Sequence, residues 1–352
     1  MTSPPEPIWP VGAATGIGSL PGTDIDDAVR LVFGELPDLP HLPELPARGA
    51  GADMVGRAGA VLAELHVDLQ PSGWRLLPGG AGAGRDENAA ADFLARDLDA
   101  LQAAAFDYAG PLKVQITGPW TLAAALELPR GGTVLLDAGA ARDVSEALTE
   151  GLLVHLEQVR RRVPAARIVV QLDEPSLPAV LAGRIPTPSG FSTAPAVEEP
   201  VAAERLAAVL TAVRSGSSTT GPVLAGVHCC ASRPPLRTLA RAAVDFLAFD
   251  GAATLDLDAI GEAVEAGTRL VVGVVPGTDP TDPAVVAGMS DPSRTVEPAR
   301  RLWRRLGFRP ETLGEVVAVS PSCGLAGASP AYVRTALAAV GRAARLLVDE
   351  PA

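Results

Sequence analysis

Residues 167–175 read RIVVQLDEP, a short β-branched run that ends in two acidic residues and a proline. Such a run is typical of a buried strand, and the polar residues mark where the strand ends. Similar runs recur along the chain, and longer segments rich in Ala, Leu and Arg separate them. We predict strands at 12–18, 112–117, 167–172, 222–228, 245–249, 269–275 and 316–320, and an eighth within 61–77.

The segments between these runs have apolar residues at helical spacing. We predict helices at 88–107, 134–163, 199–214, 233–243, 256–267, 295–306 and 330–348. Strands in alternation with helices indicate an α/β fold, the (β/α)8 TIM barrel. A single barrel can account for residues 1–352, with 1–10 as a flexible N-terminus and with 34–53 and 276–294 as long loops over one end.

The composition excludes several classes of protein. A net charge of -12 argues against sequence-independent binding to nucleic acid or to an anionic membrane, because both require a basic surface. The N-terminus lacks the pattern of a signal peptide, and no apolar run is long enough to span a membrane. We therefore expect a cytoplasmic protein whose cysteines are thiols or metal ligands.

Two of the three cysteines are adjacent in VHCCAS, residues 227–232, directly after a histidine. Side chains alternate in an extended segment, so His228 and Cys230 face one side and Cys229 faces the other. Cys229 then packs in the core. Burial of this kind is also the ordinary explanation for any single cysteine.

The third cysteine, Cys323, follows the last predicted strand. A parallel barrel brings the carboxyl ends of all strands to one rim, so Cys323 can meet His228 and Cys230 there. A catalytic zinc takes nitrogen and sulfur ligands and keeps one position open. The sequence therefore predicts a zinc site, to which Asp250 adds a weaker oxygen ligand.

Other polar residues also follow predicted strands. Asp173 is a candidate to bind a substrate ammonium group. For Asp173 and its neighbour Glu174 the alternative is a helix cap or an ion pair with a nearby arginine. The segment Ile17, Gly18 and Ser19 could offer backbone N–H groups to a carboxylate, or could be only a tight turn. Trp120 either forms a wall of the substrate pocket or packs in the core.

Together the motifs resemble the C-terminal catalytic barrel of the cobalamin-independent methionine synthase family. They occur in the family's order, as IGSLPGTD, ITGPWTLA, QLDEPSL, VHCC, FLAFD, VVGVV and SPSCGL. The resemblance implies a zinc ion held by His228, Cys230 and Cys323, with Asp250 where the family usually has a glutamate ligand. It also implies that Asp173 binds the amino group of homocysteine and that the segment 17–19 contacts its carboxylate.

Three departures from the family pattern concern the methyl donor and the chain length. The full-length enzymes have a second, N-terminal barrel, for which 352 residues leave no room. Thr278 and Asp279 stand where the family has a histidine thought to protonate the departing folate, so Asp279 is a possible substitute acid. Ala179 replaces a glutamate that contacts folate. Short relatives of this kind are thought to take the methyl group from a corrinoid protein or another donor.

The sequence thus predicts a zinc-dependent S-methyltransferase that converts homocysteine to methionine. The donor would be a methyl-corrinoid protein or a molecule of the methyltetrahydrofolate type. One alternative is another zinc-dependent thiol alkyltransferase, such as one that joins an epoxide to coenzyme M. Others are a non-catalytic zinc-binding or corrinoid-binding module, and a porphyrin decarboxylase, which would need arginines at the barrel mouth and no zinc.

Overall fold

The computed structural model describes residues 9–187, 190–216 and 223–350. Its strands are β1 (Val67–Gln70), β2 (Gly73–Leu76), β3 (Pro111–Thr117), β4 (Arg167–Asp173), β5 (Leu224–Cys229), β6 (Phe246–Asp250), β7 (Arg269–Val275) and β8 (Val317–Pro321). The six strands β3 to β8 form one parallel sheet in chain order. All six were predicted within a few residues, although the predicted start of β5 at residue 222 lies outside the described residues.

The helices are α1 (Ile25–Glu35), α2 (Met54–Gly59), α3 (Arg85–Ala104), α4 (Pro119–Ala125), α5 (Ala138–Arg162), α6 (Leu177–Leu181), α7 (Glu199–Ser215), α8 (Leu236–Arg241), α9 (Leu257–Glu265), α10 (Pro283–Gly288), α11 (Pro292–Leu306), α12 (Leu313–Val316) and α13 (Pro330–Asp349). The longer predicted helices are confirmed with shifted ends. The predicted loops at 34–53 and 276–294 are partly wrong, because two short 3-10 helices interrupt the first and α10 lies in the second. None of the described helices combines the length and the apolar character needed to cross a membrane.

Two extended segments join the edges of the six-stranded sheet. Ala14 makes a parallel bridge to Val319 of β8, and His41 makes one to Lys113 of β3. The two segments, 12–20 and 40–44, meet each other through hydrogen bonds from Leu20 N to Glu44 O (2.8 Å) and from Glu44 N to Gly18 O (3.2 Å). The sheet therefore curls as in a TIM barrel, with six regular strands and two irregular connections.

The predicted eighth strand within 61–77 is wrong. Its apolar residues form β1 and β2, an antiparallel hairpin that is separate from the large sheet. The position in the ring belongs instead to residues 40–44, PHLPE, inside a stretch predicted to be a loop. Two prolines, which lack a backbone N–H, hide the strand character of that segment.

The interior of the barrel changes from apolar to polar along its axis. At the amino end, Trp9 is 1% exposed and packs edge-on against Phe246, with ring centroids 5.5 Å apart. The predicted flexible N-terminus at 1–10 thus contains a buried tryptophan at position 9, while residues 1–8 lie outside the described residues. Val169, Ala248 and Val271 belong to the same apolar cluster. The interior side chains nearer the carboxyl ends are polar, and the candidate site lies there.

Candidate metal and substrate site

The structure brings His228, Cys230 and Cys323 together. Their ligand atoms all lie within 4.8 Å of one another. His228 is in β5, Cys230 follows the end of β5, and Cys323 comes two residues after β8. Cys229 is fully buried in the hydrophobic core, as strand alternation predicts. The arrangement supplies one nitrogen and two sulfur donors on one side, which is the donor set of a catalytic zinc site.

The hydrogen bonds of His228 leave one ring nitrogen available. Nδ1 lies 2.8 Å from Oδ1 of Asp173, while the buried Nε2 has no hydrogen-bond partner within the described part of the chain. A histidine that binds a metal commonly donates its second ring N–H to a carboxylate, which fixes the tautomer and the ring orientation. The unpartnered Nε2 beside two thiols therefore fits a metal ligand.

The two thiols of the cluster are strongly coupled. Their sulfur atoms are 2.9 Å apart and share a hydrogen bond. This bond lowers the pKa of Cys323, and the same bond together with burial raises the pKa of Cys230. One thiol of the pair therefore loses its proton more readily than the other, because removal of the second proton would place two negative charges side by side. A bound cation would favour the doubly deprotonated pair.

A cavity of about 400 Å³ opens next to the cluster. Its lining includes all three members of the cluster and four further residues predicted from the sequence, namely Ile17, Gly18, Ser19 and Asp173. It also includes residues that the sequence analysis did not select, namely Glu44, Pro46, Asp53, Met54, Pro175 and Gly324. The lining of the cavity thus combines two thiols, a histidine, three carboxylates and a backbone turn.

Asp173 has a role that was not predicted. The register of β4 against β5 places it opposite His228. Its Oδ1 accepts hydrogen bonds from Nδ1 of His228 and from Nε2 of Gln171, both at 2.8 Å. One carboxylate oxygen therefore orients the histidine, and the side chain also reaches the cavity.

Glu44 is a second buried carboxylate at the cavity, with 6% exposure. Its Oε1 accepts a hydrogen bond from Nε2 of Gln115 (3.0 Å) and lies 3.8 Å from Nε of Arg57. Burial raises the pKa of Glu44, while Arg57 opposes that shift. The sequence contained a usable signal, since Glu44 also ends a segment of the ring, but PHLPE was not recognised as such a segment.

Close packing holds the turn at 17–19. A Cβ on Gly18 would lie 2.9 Å from the side chain of Gln115, and one on Gly324 would lie 2.1 Å from Oγ of Ser19. The backbone of Ser19 accepts a hydrogen bond from Leu325 N at 2.7 Å. The glycines allow the turn to pack directly against β3 and the loop after β8, so the turn has a fixed position at the cavity.

Trp120 lies away from the cavity. Trp120 is 2% exposed, its indole N–H donates to Ala202 O at 3.1 Å, and the guanidinium of Arg205 lies 4.3 Å from its ring centroid. It is not among the described residues that line the cavity, so packing in the protein interior is the better interpretation.

Asp250 ends β6 but does not join the thiols. The register pairs His228 with Ala248, which puts Asp250 beyond the histidine along the strand. Its Oδ1 accepts a hydrogen bond from Ala252 N at 2.9 Å, so the carboxylate turns back to its own loop. Within the described residues the cluster has only the histidine and the two cysteines.

Asp279, the candidate substitute acid, is bonded to the residue that precedes α13. Its two oxygens accept hydrogen bonds from the backbone N–H and the hydroxyl of Ser329, both at 2.6 Å. These bonds lower the pKa of Asp279. The carboxylate therefore caps the start of α13, and its lowered pKa disfavours a role as a proton donor.

Comparison with known proteins identifies the family. The family model described as "Cobalamin-independent synthase, Catalytic domain" matches residues 98–346, which is more than half of the chain. The chain belongs to this family. The family is of a methyltransferase type and is cobalamin-independent, so the predicted methyl-corrinoid donor has no support and that prediction is withdrawn.

A solved structure gives independent support for the fold. The chain is similar to a B12-independent methionine synthase from Shewanella sp. W3-18-1 in complex with selenomethionine, with 12% identity, a TM-score of 0.59, and coverage of 96% of this chain and 98% of that chain. At this identity the likeness shows the fold alone.

Two other structures match less well. One is of an uncharacterized protein (12% identity, TM-score 0.26, 56% of this chain and 47% of that chain), and the other is of a prolidase with N-methylphosphonate-L-proline (12%, 0.27, 67% and 63%). These scores are too low to support an argument. No curated protein matches the sequence.

Proposed function

We propose that the protein transfers a methyl group to the thiol of homocysteine at a zinc ion held by His228, Cys230 and Cys323. The observation that supports this most directly is the buried, unpartnered Nε2 of His228 beside two thiols at the edge of the cavity. Membership of the synthase family gives the reaction type. We assign residues 1–352 to one (β/α)8 barrel that acts in the cytoplasm.

The other residues that line the cavity suit the amino-acid end of the substrate. The carboxylates of Asp173 and Glu44 both reach the cavity and would bind the ammonium group. The turn formed by Ile17, Gly18 and Ser19 lines the same cavity and would direct backbone N–H groups at the substrate carboxylate. Held at both charged groups, homocysteine would extend its thiol towards the cysteines and His228.

The reaction is a nucleophilic substitution at carbon. Zinc, when bound, would lower the pKa of the substrate thiol so that it is deprotonated at neutral pH. The substrate sulfur then forms a bond to the methyl carbon, and the bond between methyl and donor breaks with its electron pair leaving on the donor. For a donor of the methyltetrahydrofolate type, which we propose, the departing nitrogen also takes up one proton. The protein's contribution is mainly to orient the thiol.

Metal analysis and an activity assay together test the proposal. The purified protein should hold one zinc per chain and should form methionine from homocysteine and methyltetrahydrofolate. The variant Cys230→Ala should lose zinc and activity, whereas Cys229→Ala, which alters the neighbouring buried thiol, should keep both. Wild-type protein without stoichiometric zinc would refute the metal site. Zinc-loaded protein that makes no methionine would refute the substrate or the donor, and methylcobalamin as an alternative donor separates these two outcomes.

A further inference from the structure

The chain contains a single lysine, Lys113, and it lies inside the barrel. It occupies the middle of β3, is 1% exposed, and is in register with His41 of the neighbouring segment. Burying an ammonium group costs free energy unless its donors are satisfied. A lysine in this position therefore needs a specific explanation.

The ammonium group of Lys113 has three donors and three neutral acceptors. Nζ donates to Ile17 O at 2.7 Å, to Oε1 of Gln171 at 3.0 Å and to Oε1 of Gln115 at 3.5 Å. In the described part of the chain it forms no direct ion pair. Burial lowers the pKa of Lys113 to about 8, and the nearby charges of Asp173 and Glu44 act against that shift. The group is thus held where both carboxylates stabilise it from a distance.

Each acceptor of Lys113 connects to a part of the proposed substrate site. Gln171 donates to Ile17 O (3.0 Å) and to Oδ1 of Asp173 (2.8 Å). Gln115 donates to Oε1 of Glu44 (3.0 Å) and to Leu42 O (2.6 Å). Ile17 begins the turn that lines the cavity. One side chain therefore links the turn and both carboxylates.

The fold itself does not require a charge inside the barrel. The interior at the amino end is filled by Trp9, Phe246, Val169 and other apolar residues. Nearer the cavity, buried polar side chains are present, and Lys113 contacts two of them, Gln115 and Gln171. A purely structural side chain here would be expected to be apolar, because an apolar group of similar size avoids the cost of desolvating an ammonium.

We propose that Lys113 is a positioning residue for the amino-acid end of the substrate, because it fixes the turn at Ile17 and, through Gln171 and Gln115, the carboxylates of Asp173 and Glu44. The inference rests on the proposed function and concerns the same cavity. It predicts that Lys113 affects the binding of homocysteine far more than the holding of zinc or the binding of the donor.

The test is Lys113→Met, which keeps the length of the side chain but removes the charge and the donors. The KM for homocysteine should rise about tenfold or more, the loss expected when hydrogen bonds from a charged group are removed. The kcat at saturating homocysteine, the KM for methyltetrahydrofolate and the zinc content should each stay within about twofold. Calorimetry with L-methionine, the product amino acid, should show a parallel loss of affinity.

Each alternative outcome has a defined meaning. An unchanged KM for homocysteine would overturn the inference, as would a fall in kcat and zinc content of the same size as the change in KM. If Lys113→Met does not fold, Gln171→Leu tests the same connection with the lysine retained, and an unchanged KM there also overturns it. Wild-type protein that does not methylate homocysteine would refute the proposed function, while the calorimetric comparison would still decide the role of Lys113.

Discussion

Replacement of Asp173 by alanine tests whether this carboxylate orients His228 for metal binding. The carboxylate oxygen Oδ1 accepts two hydrogen bonds at 2.8 Å, from Nδ1 of His228 and from Nε2 of Gln171. Alanine leaves both donors buried without their partner. We therefore expect the metal affinity of His228 to fall, because its ring is no longer held with Nε2 towards the thiols.

The size of the effect follows from these contacts. Hydrogen bonds to a charged group contribute about 1.5–3 kcal/mol each. Loss of the bond to His228 alone then weakens zinc binding about 10- to 100-fold, in line with the usual effect of removing a carboxylate that supports a metal-binding histidine. The variant Asp173→Asn should lie between wild type and alanine, because its amide oxygen can still accept from the ring.

The assay is competition for zinc between the protein and a chromophoric chelator of known affinity. Asp250→Asn is the matched control, since Asp250 also ends a strand of the barrel but its carboxylate accepts a hydrogen bond from Ala252 N of its own loop. Its zinc affinity should equal that of the wild type. An unchanged zinc affinity in Asp173→Ala would refute the orienting role, and a large loss in Asp250→Asn would show that this aspartate is a metal ligand after all.

Three further predictions concern other buried side chains. Glu44→Gln should raise the KM for homocysteine about tenfold in initial-rate assays, by loss of a charged hydrogen bond, with zinc content unchanged. Trp120→Phe should lower the free energy of unfolding by about 1–2 kcal/mol in urea titrations, because the bond to Ala202 O is lost, yet leave kcat and KM as they are. Burial raises the pKa of Glu174 to about 7, above the unfolded value of 4.5. The folded state therefore binds a proton at Glu174 more tightly than the unfolded state does. The resulting contribution to the free energy of unfolding is fully present below pH 4.5 and is lost as the pH rises through 7. Between these limits the free energy of unfolding should fall by about 3 kcal/mol more in the wild type than in Glu174→Gln, and equal slopes would contradict the shift.

The sequence predicted the regular strands well because buried parallel strands are rich in apolar and β-branched residues. RIVVQLD and RLVVGVV are short runs rich in Val, Ile and Leu, which is typical of buried strands, and they form β4 and β7. The segment 40–44 was missed because its prolines are typical of loops and because single bridges demand little of the sequence. The apolar residues of 61–77 led to the wrong prediction of a barrel strand, because a hairpin also buries one of its faces and so shows a similar apolar pattern.

The site was predictable to the extent that it follows from strand ends. Alternation and convergence on one rim were enough to bring His228, Cys230 and Cys323 together. The bond from Asp173 to His228 depends on the register of β4 and β5, which the sequence does not reveal. The orientation of the Asp250 carboxylate depends on the geometry of the loop after β6, which cannot be predicted from the sequence either.

The residues that line the cavity are held by two kinds of backbone: regularly paired strands, and the two irregular connections at 12–20 and 40–44. The thiols and His228 are placed by β5 and β8, whose backbones are paired along their length, at least on one side. The turn at 17–19 and Glu44 are placed by segments that contribute isolated bridges to the ring. Changes of sequence in 12–20 and 40–44 can therefore alter which thiol compound fits while the metal-binding side stays intact. Under the proposed function, new substrate preferences would then arise first in these two segments, because isolated bridges and not continuous strand pairing join them to the sheet.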